Sequence, residues 1–253
     1  MRRFLTILIF LCACKTYSQG FSWELSPRFP FNIPVLYIGV DGYYATSQFS
    51  GDLTLFENYY VCSKFNSGNG NSFAFGVTIE HWYRYNVALN GFVNFQENKG
   101  KMVAQGDSFP VLVKGIPKIA KVDNELSMDF KFINLGVGIK WLPFRNNLYL
   151  RGLIEFGFKI SSVYEIFEQI KSPPEYHFID NTQRRKVLGG RLSDISLFKV
   201  APKVCIGYDA PLFPGVYASP SITFDLPTYN FSKDETLRIF AVQFGLSLFF
   251  GIW

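Results

Sequence analysis

Apolar side chains recur at every second position in eight separate runs of the chain. The last run is the clearest. Phe240, Val242, Phe244, Leu246, Leu248, Phe250 and Ile252 share one face, with Ala241, Gln243, Gly245, Ser247 and Gly251 opposite; Phe249 alone interrupts the small, polar side. The same contrast runs through 35–45, 73–85, 87–96, 127–141, 147–161, 197–209 and 216–226. A period of two over this length predicts β-strands with one apolar face. In 127–141 the phase changes. Met128, Phe130 and Phe132 have one parity, and Ile133, Leu135, Val137, Ile139 and Trp141 the other, which predicts a bulge near Phe132–Ile133.

The connections alternate in length. Those around 85–87, 143–147 and 210–215 are tight and carry Pro, Gly or Asn, whereas 46–72, 97–126, 165–195 and 227–236 are long and polar and read as loops. Eight strands with short turns at one end and long loops at the other predict an eight-stranded antiparallel transmembrane β-barrel, all-β, with both termini on the short-turn, periplasmic side. The first strand, 35–45, is expected to pair with the last, because no open edge survives in hydrocarbon.

Composition separates this reading from a soluble barrel or sandwich. Charged residues are 18% of the 253-residue chain, against roughly 25% in ordinary soluble domains. Aromatics are also 18%. In a soluble barrel the apolar face points inward and the polar face meets water. Here the polar face is sparse, small and Gly-rich, as a narrow lumen requires. An apolar face of this extent on the outside would far exceed a soluble monomer's patches. Trp141, Tyr83, Tyr85, Tyr149, Tyr208 and Tyr217 lie near strand ends, where an interfacial girdle is expected.

Residues 1–18 read as a signal peptide: Arg2 and Arg3, an apolar run from Phe4 to Ala13, then small residues at Thr16 and Ser18. Ten apolar residues are too few for a membrane helix, which needs about 20. Cleavage after Ser18 leaves Gln19 first; the rival reading takes Leu11–Cys14 as a lipobox with Cys14 acylated. Removing Arg2, Arg3 and Lys15, and no acid, leaves 22 basic against 20 acidic residues, or +2. Residues 19–34 form a Pro-containing periplasmic lead-in and 35–253 the barrel. Cys62 and Cys205 remain, placed in a loop and a strand, an arrangement that speaks against a disulfide.

The end of the chain, Phe244-Gly245-Leu246-Ser247-Leu248-Phe249-Phe250-Gly251-Ile252-Trp253, resembles the C-terminal insertion signal of bacterial outer-membrane barrels, although Trp253 is out of phase with the apolar face. With the signal peptide and strand pattern, the mature chain resembles the small outer-membrane β-barrel families of the Bacteroidetes type, with the architecture of the OmpA membrane domain, OmpX and PorT-like proteins. The resemblance implies a bacterial outer-membrane location, assembly by the barrel-assembly machinery through the C-terminal strand, and contact with outer-membrane lipid or lipopolysaccharide. It implies no single activity.

The polar faces carry Asp41, Glu80, Arg84, Asp129, Lys131, Lys140, Arg151, Glu155, Lys159, Lys199, Lys203, Asp209 and Asp225. An eight-stranded lumen is just wide enough for its own side chains, so these charges must pair. Asp41, Glu80, Arg84, Arg151, Glu155, Lys159, Lys199 and Lys203 are the expected lumen network, and Glu80 and Glu155 should each meet a base drawn from Arg84, Arg151, Lys159 and Lys203. They line either a plug or an ion path.

A lipid-modifying barrel enzyme would need a His beside a Ser and an acid. His81 lies next to Glu80, and His177 has Ser172, Glu175 and Asp180 nearby. No GxSxG or HExxH motif occurs. Arg184, Arg185 and Lys186, with Arg191 close by, form the one basic cluster, a candidate lipopolysaccharide contact. Neither a cofactor nor a metal site is expected, and the small net charge gives no reason to expect nucleic acid. Three functions stay open: a non-enzymatic barrel with a plugged lumen that works through its long extracellular loops, a subunit of an envelope secretion or motility complex, or a lipid-modifying enzyme.

Overall fold

The computed structural model describes residues 34–53, 64–84, 86–144, 146–191, 196–227, 230 and 236–252. The expected signal peptide and most of the lead-in, with Cys14, Cys62, Tyr85 and Trp253, lie outside them. Ten strands follow in order: β1 Leu36–Leu53, β2 Phe65–Arg84, β3 Val87–Val113, β4 Ile116–Trp141, β5 Leu148–Ser172, β6 Arg184–Arg191, β7 Phe198–Tyr208, β8 Ala210–Phe213, β9 Val216–Asp225 and β10 Thr236–Ile252.

Eight of them close a ring in the order β10–β1–β2–β3–β4–β5–β7–β9, with β9 returning to β10. Every pairing is antiparallel. β1 and β10 run together from Leu36↔Ile252 to Asp52↔Thr236, closing the barrel as the edge argument requires. β8 makes a short hairpin with β9 at the lower rim, and β6 lies only against the upper half of β5. The short turns are tied to one another by backbone bonds: Leu142 to Asn86, Asp209 to Asn147 and Gly251 to Gly215.

Along the lower half of every ring strand the apolar side chains point out. Ile38, Val40, Phe75, Val77, Leu135, Val137, Ile154, Val204, Ile222 and Leu246 are exposed, while Glu155, Lys203 and Gln243 are buried. Phe156, Phe224 and Leu248 also face outward but are half-covered by outer neighbours; Phe156 stacks on Phe198 with centroids 6.0 Å apart. At the lower rim Trp141, Tyr83 and Tyr208 are exposed. Tyr149 and Tyr217, expected in this girdle, are instead fully buried in the lumen.

Above this belt the sense of the alternation reverses. Phe49, Met102, Leu126, Met128, Phe130, Phe132, Tyr164 and Ile166 point inward and form one buried apolar cluster. Charged and polar side chains occupy the outside. Much of 46–72, 97–126 and 165–195 is therefore strand rather than loop. β3 and β4 end in a two-residue turn, Lys114 (φ 52°) and Gly115 (φ 80°), both in the left-handed region that such hairpins require.

The phase change in 127–141 is this reversal, not a bulge. From Asp123 to Trp141 β4 keeps one phase against β3. What changes at Phe132–Ile133 is the surroundings: below it hydrocarbon selects apolar side chains outward, above it water selects them inward. The irregularity lies on β5, where Lys131 pairs with Ser161 and Phe132 with Lys159, leaving Ile160 as the extra residue.

Candidate functional site

From the short-turn end upward the lumen is lined by buried polar and charged side chains. At its base Lys140 is almost fully buried between Glu80 (3.0 Å) and Asp209 (2.8 Å). Four rings cage its ammonium: Tyr149 at 4.3 Å, Tyr217 at 5.1 Å, and Trp82 and Phe249 at 5.5 Å. Phe249, which interrupts the polar face of the last strand, stacks on Tyr217 with centroids 4.7 Å apart. Glu80 also accepts from the Tyr217 hydroxyl (2.5 Å) and the Asn90 amide (3.0 Å). The Ser219 hydroxyl is bonded to both Tyr149 and Asp209, 2.9 Å each.

Higher up, Glu155 takes Lys199 (2.9 Å) and Lys203 (2.8 Å). Lys203 also reaches Asp225 (3.2 Å), which accepts from Gln243 (2.8 Å). Lys199 donates to Gln96, and Asn134 joins Gln96 to Asn94. Two buried bases thus face a buried acid, Glu155, and a half-buried one, Asp225, the balance that a low-dielectric interior demands. Lys199 lies 4.8 Å under the ring of Phe132, where the apolar cluster begins. Asp41 and Arg151 are buried at middle height, and the Arg151 guanidinium contacts the Cys205 sulfur at 3.5 Å.

The residues expected in the lumen divide. Asp41, Glu80, Arg151, Glu155, Lys199 and Lys203 point inward and are buried. Arg84 does not: the register shift between Trp82 and Arg84 turns it outward at the rim, near the Tyr83 ring (5.8 Å). Lys159 is half-buried beside the β5 irregularity. Asp129 and Lys131 are on the outer face, because the reversal exchanges the faces at their level. Lys140, not one of the four bases expected for Glu80, is its partner.

Outside, the extended strands carry three charged rows, read directly from the register. Immediately above the apolar row Phe75–Phe95–Ile133–Phe158 comes Phe73–Glu97–Lys131–Ser161, then Asn71–Lys99–Asp129–Val163, then Asn69–Lys101–Ser127–Glu165. Glu97 is shared by Lys99 (3.2 Å) and Lys131 (3.4 Å), and these bonds, led by Lys99, hold its carboxyl below the usual range. Partial burial and the neighbouring Glu97 carboxylate push Asp129 up.

The basic cluster sits on β6 and docks that strand. Arg184 bonds Glu125 (2.8 Å), Arg185 bonds Glu168 (2.7 Å) and Lys186 bonds Glu165. The two histidines are apart: His81 is exposed on the outer face of β2, and His177 is exposed in the 173–183 connection, bonded to the backbone oxygen of Glu175 (3.1 Å). Among the described residues no group of three or more His, Cys, Asp or Glu is arranged to hold a metal ion.

A closed ring of antiparallel strands with an apolar outer band, an interior lined by buried polar and charged side chains and short turns at one end is an integral β-barrel of the bacterial outer membrane. No family model matches the chain, and no curated protein matches it. Solved structures with a similar course include Neisserial surface protein A (10% identity, 86% of this chain and 97% of that one, TM-score 0.40). Others are the attachment invasion locus protein Ail of Yersinia pestis with a heparin analogue (12%, 85% and 99%, 0.36) and the outer membrane protease OmpT of Escherichia coli (12%, 90% and 100%, 0.33). At these values the likeness is one of strand layout; the architecture rests on this chain's own register.

Proposed function

We propose that this is a non-enzymatic outer-membrane barrel, closed to solutes, that works through its extracellular sheet. The observation that supports this reading is the succession of buried side chains along the lumen: the caged Lys140 at the base, the Glu155 cluster above it, and the apolar cluster above that. His81 is exposed on the outer face of β2, and His177 is exposed and bonded to the backbone oxygen of Glu175, positions that favour this reading over a lipid-modifying enzyme. The purified protein in planar bilayers is expected to give no steady single-channel conductance. A stable conductance abolished by Glu155→Ala would mean that these charges line a path.

A second reading, membership in an envelope secretion or motility complex, is favoured by the hairpin tip. Leu112, Ile116 and Ile119 are 73%, 60% and 66% exposed there, beside Lys114 and Lys118. The tip is braced by Phe109 against Tyr176 and by Lys118 against Glu175 (3.5 Å). A stoichiometric partner retained by the native protein and lost in the Leu112→Asp, Ile116→Asp variant supports this reading; retention counts against it. β10 is the strand through which assembly machinery would seat the chain.

A further inference from the structure

The β3–β4 hairpin stands well clear of the membrane that holds the barrel. From Glu97, in the first charged row, β3 runs on to Val113. At about 3.3 Å per residue and a tilt of about 40°, that carries the turn roughly 40 Å above the apolar band. The hairpin end has no strand beside it. Among the described residues β2 pairs with β3 only as far as Met102, and β5 pairs with β4 only from Lys121. The last rungs are Pro110↔Ile119, Val111↔Lys118, Leu112↔Pro117 and Val113↔Ile116, closed by the Lys114–Gly115 turn.

Apolar side chains lie on both faces of this end. Leu112 and Ile119 are on the outer face, 73% and 66% exposed, and Ile116 is on the opposite one, 60% exposed. A protein surface covers one face of such a hairpin, whereas a bilayer interface surrounds both.

The backbone suits the same surroundings. A two-residue turn makes Val113↔Ile116 a hydrogen-bonded pair, so by alternation the backbone nitrogens of Pro110, Leu112, Pro117 and Ile119 point away from the hairpin. Two of these four are proline, one on each edge, and carry no N–H. An unpaired N–H is what an apolar medium penalises in an open edge.

The charge at this end has one sign. Residues 110–119 hold Lys114 and Lys118 and no acid. Lys118 holds Glu175 at 3.5 Å, whereas Lys114, at the turn itself, has no ion-pair partner among the described residues. Lysine stems can lie along the apolar rungs while their ammonium groups reach back to phosphates. The last rungs span about 10 Å, and interfacial segments enter a bilayer by about 5–10 Å.

We propose that this hairpin end inserts into the anionic interface of an apposed phospholipid bilayer, with Leu112, Ile116 and Ile119 entering the acyl boundary and Lys114 and Lys118 meeting headgroup phosphates. This deepens the reading that the barrel works through its extracellular sheet, and it rests on that reading.

The full protein in zwitterionic nanodiscs tests this by co-sedimentation with two kinds of vesicle: phosphatidylcholine containing phosphatidylglycerol, and phosphatidylcholine alone. The native protein is expected to bind the anionic vesicles at least about tenfold more tightly than the neutral ones. The Leu112→Ser, Ile116→Ser, Ile119→Ser variant keeps both lysines and should lose at least about tenfold in affinity. Insertion is read from Leu112→Trp, whose fluorescence should shift to the blue and be quenched by brominated acyl chains in the vesicles. Val103→Trp, exposed lower on β3, should show neither change. Heat-modifiable electrophoretic mobility confirms that each variant is folded. Undiminished binding by the folded serine variant, equal affinity for neutral vesicles, or an unquenched Leu112→Trp overturns the proposal. So does native protein that ignores both vesicles, whether or not it retains a partner protein through Leu112 and Ile116. The planar-bilayer recording decides the closed lumen independently of each of these results.

Discussion

The ring of Phe49 stands where a side chain on Gly100 would have to go: a Cβ there would lie 2.5 Å from two of its carbons. The two residues are on β1 and β3, with Gly70 of β2 between them under the same ring. Gly100→Val therefore overpacks the upper lumen and should cost about 1–3 kcal/mol. Urea unfolding in lipid vesicles measures this. Combining it with Phe49→Ala should return part of the loss, and a single variant as stable as the native chain would contradict the packing.

Lys140 is bonded to both Glu80 (3.0 Å) and Asp209 (2.8 Å). Lys140→Met leaves two buried carboxylates without their cation and should cost about 3–5 kcal/mol. The triple variant Lys140→Met, Glu80→Gln, Asp209→Asn removes both the cation and the charges it neutralised, and should recover most of the stability. The same unfolding titration distinguishes the two; equal midpoints would show that the ion pairs are not what holds the base of the barrel.

Leu246 is exposed in the middle of the outward face of β10, paired with Gly42 of β1 and Pro220 of β9. Arginine at that depth should destabilise the inserted barrel by about 2–4 kcal/mol. Gln48→Arg, on the outer face above the band, should be nearly neutral. Folding yields into vesicles check the pair, and the lipid-facing assignment fails if both are neutral.

Acid should loosen β6. Burial raises the carboxyl of Glu125, but bonds from Lys101 and Arg184 outweigh it and leave it below its ordinary 4.5. A folded value lower than the unfolded one gives stability that is present above the unfolded value and lost as pH falls through the folded one. Hydrogen-exchange protection over Arg184–Arg191, corrected for the intrinsic rate, should fall as pH drops below about 4 while the β1–β10 pairing holds. Glu125→Gln should lower protection at neutral pH and flatten the acid response.

The candidate site was legible wherever one side chain's position followed from the strand period. Glu155 and Lys203 share the inward parity of neighbouring strands, and Lys203 is among the bases expected for Glu155; Lys199, which also bonds it at 2.9 Å, is not among them. Arg84 escaped because the shift beside Trp82 breaks the period near a strand end. Tyr149 and Tyr217 sit at strand ends on the inward parity, and their inward rings serve Lys140 rather than an interface.

The sequence by itself determined the eight lipid-crossing strands, their facing and the β1–β10 closure, because hydrocarbon imposes one rule: apolar side chains outward at every second residue and no open edge. It did not determine where that rule stops. Along 97–132 the alternation continues with apolar and charged faces exchanged, and one chain reads alike as loop, bulge or strand until its neighbours are known. Only the tertiary structure decided that Met102, Leu126, Met128 and Phe130 converge on Phe49 and that Lys140 sits between acids from β2 and the β7–β8 connection. These depend on cross-strand register, which joins residues far apart in the chain, such as Lys140 and Asp209 at 69 positions and Glu80 and Tyr217 at 137, and which no local pattern encodes.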